Sequence, residues 1–193
     1  PYFSSNEKKL YDFVLIGRLL RDKGIYEYVE AASRVKKECV NEVKFGLVGP
    51  IDQNPSSISM SQINQWVMEG LVDYLGNVND VRSVIASSGC VVLPSYREGL
   101  PRVLLEASSM SKPVITTDVS GCRDVVDHQI TGLVCKPKNT DDLFQAIKNV
   151  LCMSCKRKEE MGSAGREKII ENFSNELVIK KYSEFLKNGD LSR

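Results

Sequence analysis

The sequence predicts an α/β domain on a doubly wound, Rossmann-like parallel sheet. Short apolar runs alternate with longer amphipathic stretches along the 193 residues, and strand–helix–strand–helix order is the signature of such a sheet. The length is enough for one domain with a substantial core. With 42% hydrophobic and 26% charged residues, the composition is that of an ordinary globular protein.

Each element follows from its local pattern. Phe13-Val-Leu-Ile-Gly17 is apolar and reads as a buried strand. Residues 25–37 carry Ile25, Tyr28, Val29, Ala32 and Val35 at helical spacing. Strands are expected at 43–49, 72–75, 90–94 and 132–135. Another, at 113–117, opens on a proline, which a first strand position tolerates. Helices are expected at 61–69, 80–87, 101–110, 140–151, 156–172 and 175–187. Between 50 and 59 lies a polar loop. Trp66 is expected to pack from its helix, His128 to sit in a surface turn, and Lys156-Arg-Lys158 to form a solvated helical face. There is no internal repeat.

A formal net charge of +1 gives no electrostatic case for nucleic acid. No apolar run approaches membrane-spanning length. Of the six cysteines, Cys39, Cys90 and Cys135 lie in or beside apolar stretches and read as small core residues, a usage that fits a reducing compartment. Cys152-Met-Ser-Cys155 has metal-like spacing, but a structural zinc site needs about four ligands. The sequence has no second such pair and a single histidine, so no metal site is expected.

Ligands of doubly wound sheets bind at the carboxyl ends of the strands, which directs attention to the loops 18–24, 76–80 and 95–100. In Ser95-Tyr-Arg-Glu-Gly-Leu-Pro-Arg-Val-Leu-Leu-Glu106, Pro101 suits a first helical position. The Arg102 and Val103 amides are then free donors at a positively polarised helix start. Glu98 precedes that helix, and Glu106 lies inside it on the face of Arg102. Amides and cations can take phosphates while carboxylates accept from sugar hydroxyls. The helix dipole alone is sufficient reason for either glutamate taken singly. Arg18 and Lys23 follow the first strand and could grip a diphosphate, although by composition alone a solvated basic loop is the better explanation. No G-x-G-x-x-G or G-x-x-x-x-G-K-[ST] is present, which disfavours a nicotinamide-dependent reductase.

At these residues the sequence resembles the donor-binding domain of family-four retaining glycosyltransferases of the GT-B fold. The resemblance runs from Phe13 to about Phe173. Its main element is Glu98 and Glu106 with seven residues between them. Gly-Arg-Leu followed by Lys-Gly, Tyr-Leu-Gly-Asn-Val at Tyr74–Val78, and Thr-Gly-Leu-Val at Thr131–Val134 support it. The resemblance implies that Arg18 and Lys23 hold the donor diphosphate and that Glu98 binds hydroxyls of the donor sugar. It implies that Gly99 and Leu100 offer amides to that sugar, and Arg102 and Val103 amides to the phosphates. Glu106 would take the ribose, and Leu75 and Val78 the base.

Residues 1–193 would form one domain, with a helical tail from about 174. The chain starts at Pro1 and is read as a piece of a longer protein whose acceptor domain lies elsewhere. The expected donor is a UDP-sugar, with no cofactor and no divalent ion. The wording around Pro101, where relatives commonly have glycine, and Gly121-Cys-Arg-Asp124 resemble enzymes of bacterial capsule and O-antigen synthesis. That similarity implies transfer of a hexose or N-acetylhexosamine to a lipid-linked polysaccharide by a cytoplasmic parent, with peripheral contact at the inner face of the membrane left open. The piece alone is expected to be inactive. A nucleotide-sugar isomerase of the same architecture and a non-catalytic nucleotide-binding domain remain alternatives.

Overall fold

A computed structural model describes residues 9–39 and 42–187. The domain expected at 1–193 therefore includes terminal segments, and residues 40–41, that lie outside the described residues. Six strands, β1 (Tyr11–Ile16), β2 (Phe45–Val48), β3 (Asp73–Tyr74), β4 (Ser88–Leu93), β5 (Val114–Thr117) and β6 (Leu133–Cys135), form one sheet in the order β3-β2-β1-β4-β5-β6. Every pairing is parallel. The helices are α1 (Ile25–Glu38), α2 (Met60–Met68), α3 (Arg82–Ala86), α4 (Arg102–Ser109), α5 (Ser120–Val125), α6 (Thr140–Cys152), α7 (Cys155–Phe173) and α8 (Asn175–Lys187).

The sheet is buried on both faces, which is why its strands read as continuous apolar runs. In β1, Phe13 and Leu15 point into one layer with Tyr28, Phe45, Ile63, Phe144 and Ile147. Val14 and Ile16 point into the other with Val91, Leu104, Val114 and Ile169. Each such side chain contributes about 1.5–3 kcal/mol by leaving water. Phe13 stacks on Phe45 at 5.3 Å, and the Tyr28 hydroxyl donates to the Gly46 carbonyl. Trp66 packs edge-on to Tyr26. Ser59, Asn139 and Ser154 cap α2, α6 and α7 with side-chain oxygens, each removing one orphan amide at a helix start.

Three departures from the sequence reading have physical causes. β3 is only two residues long because it is an edge strand that pairs with β2 alone. A single 3-10 turn, Arg21–Lys23, and the six-residue α5 were not expected. Both are too short for helical periodicity to register, and α5 includes a serine and a glycine, weak helix formers. Pro101 is not the first helical residue but the N-cap of α4: its φ of −75° is helical, while its ψ of 103° is extended.

Cys90 and Cys135 are buried and Cys39 is half-buried; Cys122 is buried too. Cys152 and Cys155 are exposed free thiols. Among the described residues no helix is long and apolar enough to cross a membrane, and no group of three or more His, Cys, Asp or Glu stands together to hold a metal ion.

Candidate functional site

Strand order reverses between β1 and β4, the switch point at which open α/β sheets bind ligands. A cleft of about 770 Å³ opens there, lined by residues from the ends of β1 and β4, from the start of α4 and from the segment before α3. That volume is in the range of small-molecule sites.

The first wall is the loop after β1. Arg18 and Lys23 both line the cleft. Gly24 makes the loop's path possible: it sits at φ +70°, and a Cβ there would lie 2.1 Å from the Pro94 carbonyl oxygen. The loop thus lies directly on the end of β4. The Tyr96 amide donates to the Asp22 carbonyl at 2.8 Å, and the Tyr96 hydroxyl donates to Glu27 at 2.5 Å. Burial, with Glu27 beside it, pushes that hydroxyl well above the ordinary tyrosine range, so it stays a donor at physiological pH.

This latch brings Lys23 Nζ to 2.6 Å from Glu98 Oε1, with the side chains 17% and 12% exposed. Ser95 Oγ donates to the same oxygen at 2.6 Å. Arg18 is oriented differently. It is 61% exposed and pairs with Asp52, from the loop after β2, at 3.2 Å.

The second wall is the start of α4. Its N-cap, Pro101, has no side-chain acceptor to offer. The Leu104 amide turns back to the Pro101 carbonyl, whereas among the described residues no acceptor is recorded for the Arg102 and Val103 amides. They point out of a helix start that carries partial positive charge. Glu106 lies one turn further on, with the Arg102 guanidinium 3.8 Å away. Glu98, Arg102, Val103 and Glu106 therefore share one cleft with Arg18 and Lys23.

Four residues singled out in the sequence are not on its walls. Leu75 and Val78 are half-buried and pack against the core on the α4 side. Gly99 and Leu100 are exposed in the loop before α4. That loop rests on α5, where Gly121 lies so close that a Cβ would be 1.8 Å from the Gly99 carbonyl oxygen.

The third wall, Asn79–Arg82, begins in the strand-end loop expected at 76–80 and extends it to Val81 and Arg82. There the Arg82 guanidinium grips both oxygens of Asp80, Nε at 2.9 and 3.0 Å and Nη2 at 2.6 Å, and the Arg82 amide adds a fourth hydrogen bond. These hold the Asp80 carboxyl down, at about 2. A depressed carboxyl favours the folded state above its ordinary pKa, and that contribution disappears as pH falls through the folded value. NMR titration is expected to put the Asp80 midpoint near 2 and to raise it in Arg82→Ala, which loses the guanidinium but keeps the backbone amide. A wild-type midpoint near 4 would contradict the fork. His128 lies away from the cleft in an exposed turn, its Nδ1 accepting from the Val134 amide at 2.9 Å.

The fold and cleft together define an open α/β domain with an anion-suited site, framed by three carboxylates and four cations, at its switch point. The chain belongs to the glycosyl transferases group 1 family, whose model matches residues 3–168. It is 32% identical over 177 residues to the N,N'-diacetylbacillosaminyl-diphospho-undecaprenol alpha-1,3-N-acetylgalactosaminyltransferase of Campylobacter jejuni, covering 91% of this chain and 45% of that protein. It is 27% identical over 179 residues to the capsular polysaccharide biosynthesis glycosyltransferase CapM of Staphylococcus aureus, covering 91% of this chain and 46% of that one. Among solved structures, a TarM variant from S. aureus in complex with UDP superposes with a TM-score of 0.78 at 25% identity, over 93% of this chain and 36% of that one. The chain spans under half the length of these relatives.

Proposed function

We propose that this chain is the donor-binding half of a retaining glycosyltransferase that uses a UDP-sugar. The observation that carries the reading is the grouping of Glu98 and Glu106 around a helix start with two unclaimed amides, with Lys23 in the same cleft. In this reading Arg18, Lys23 and the Arg102 and Val103 amides hold the diphosphate. Glu98 and the Gly99 and Leu100 amides take the sugar, Glu106 takes the ribose, and the segment of Leu75 and Val78 takes the base. In the reaction the bond from the anomeric carbon to the diphosphate oxygen breaks. A bond to the acceptor oxygen forms on the same face of the sugar, and the acceptor hydroxyl's proton passes to the departing diphosphate, which leaves as UDP. Negative charge grows on the departing diphosphate, where fixed cations and amides are worth most.

The names of the Campylobacter and Staphylococcus relatives support a hexose or N-acetylhexosamine as the sugar and a lipid-linked polysaccharide as the acceptor. The acceptor domain then belongs to the rest of the parent protein, and this chain alone transfers no sugar. The parent would work in the cytoplasm, with peripheral contact at the inner face of its membrane.

Calorimetry on the full protein tests the donor assignment. Saturable binding of UDP is expected, weakened roughly tenfold by Glu106→Ala, as for a lost hydrogen bond to a charged group. Absence of binding to UDP, GDP and ADP alike would overturn it. Conversion of a UDP-sugar without acceptor would favour an isomerase instead.

A further inference from the structure

The oxygens of Glu98 are not equivalent. Oε1 accepts from both Lys23 Nζ and Ser95 Oγ, each at 2.6 Å. Among the described residues nothing donates to Oε2. Ser95 itself is 0% exposed, so its hydroxyl cannot reach a ligand. Its carbonyl accepts from the Thr117 hydroxyl at the end of β5, and Thr117 is 1% exposed. Ser95 is thus pinned to the sheet through its backbone and to Glu98 through its side chain.

Several other buried hydroxyls among the described residues donate to main-chain carbonyls. Thr116 donates to Leu93 and Ser88 to Ile85, each at 2.9 Å. Ser95 spends its proton on a carboxylate instead, at a charge-assisted distance. Lys23 cannot hold Glu98 alone once an anion enters, because a flexible ammonium is drawn toward a diphosphate in the same cleft.

We infer that Ser95 is a positioning residue for the donor sugar: its hydroxyl keeps Glu98 Oε1 engaged and Oε2 facing the sugar while Lys23 engages the diphosphate. The inference rests on reading the cleft as a UDP-sugar site. It adds that the sugar half of the donor is oriented by a residue that touches no part of it.

The test uses the full protein, with UDP and with whichever UDP-sugar of a panel the wild type turns over fastest. Ser95→Ala is expected to bind UDP within about twofold of wild type and to lower kcat about tenfold, as expected for a lost hydrogen bond to a charged group. Ser95→Thr, which keeps the hydroxyl, is expected to restore most of that loss. In a Glu98→Gln background, Ser95→Ala is expected to change kcat by less than about twofold, because coupled residues are not additive. Unchanged kcat in Ser95→Ala overturns the proposal, as does UDP affinity falling in parallel with kcat or full additivity with Glu98→Gln. If Ser95→Ala does not fold, Thr117→Val serves, since it frees the Ser95 backbone. A severalfold loss of kcat at constant UDP affinity is expected of it, and no loss overturns the proposal. A wild type that fails to bind UDP sinks the donor-site reading itself, which is a separate outcome from any of these.

Discussion

Lys23→Ala is expected to lower kcat of the full protein by about a hundredfold or more, with a smaller, roughly tenfold, loss of UDP affinity. Two effects combine. The proposed leaving group loses a cation aimed at its growing charge, and removing one such fixed group from an active site typically costs 10²–10³ in rate. Glu98 also loses its counter-ion. At 12% exposure and 2.6 Å separation the pair is largely withdrawn from water, so breaking it leaves a carboxylate poorly compensated. The Ser95 hydrogen bond remains and limits that second effect. Steady-state kinetics with a UDP-sugar donor, beside a thermal melt, separates the two contributions. Turnover within threefold of wild type would remove Lys23 from the proposed site.

Gly121→Ala is expected to impair the same site from a residue that does not line it. The added Cβ would fall 1.8 Å from the Gly99 carbonyl oxygen and 2.9 Å from that of Glu98. Both obstacles are backbone, so neither can swing aside as a side-chain tip would. Overpacking of this kind costs about 1–3 kcal/mol, which for a chain of this size lowers the melting temperature by several degrees. The larger consequence is positional. Moving the Glu98–Gly99 backbone by a fraction of an ångström withdraws the carboxylate from Lys23 and Ser95 and shifts the start of α4, and misplacement on that scale is costly to a catalytic arrangement. The neighbouring exposed position Ser120→Ala is the control. Equal UDP-sugar KM and kcat in both variants would show that α5 does not support the loop.

The pattern of apolar runs made the parallel sheet and seven of the eight helices among the described residues legible, because strands buried on both faces and amphipathic helices leave different periodicities. Strand order was less accessible: which edge β3 and β6 occupy depends on crossovers, which sequence spacing does not encode. The carboxylates and cations of the cleft were legible as loop residues at strand ends, but their pairing was not. Lys23 and Glu98 are 75 residues apart, and Arg18 and Asp52 are 34 apart, so only the assembled sheet brings them together. The wall at Asn79–Arg82 was legible only as the strand-end loop at 76–80; the grip of Arg82 on Asp80 was not, because a polar segment before a short helix has no distinguishing pattern. Ser95 was hidden for another reason. A serine after a strand is ordinary, and its role depends on a hydroxyl direction that only the β4–β5 pairing fixes.

The contact between Gly24 and the end of β4, with Tyr96 fastened to Asp22 and Glu27, has a thermodynamic consequence. The two loops that would clasp a ligand are fastened to one another by contacts made within the domain. A ligand entering between them has little backbone freedom left to quench, so the interaction energy is not consumed by ordering. The segment most open to rearrangement is then Arg18, on its exposed pair with Asp52. Adjustment to different ligands should be concentrated in that one side chain, and the frame should enter the bound state almost unchanged.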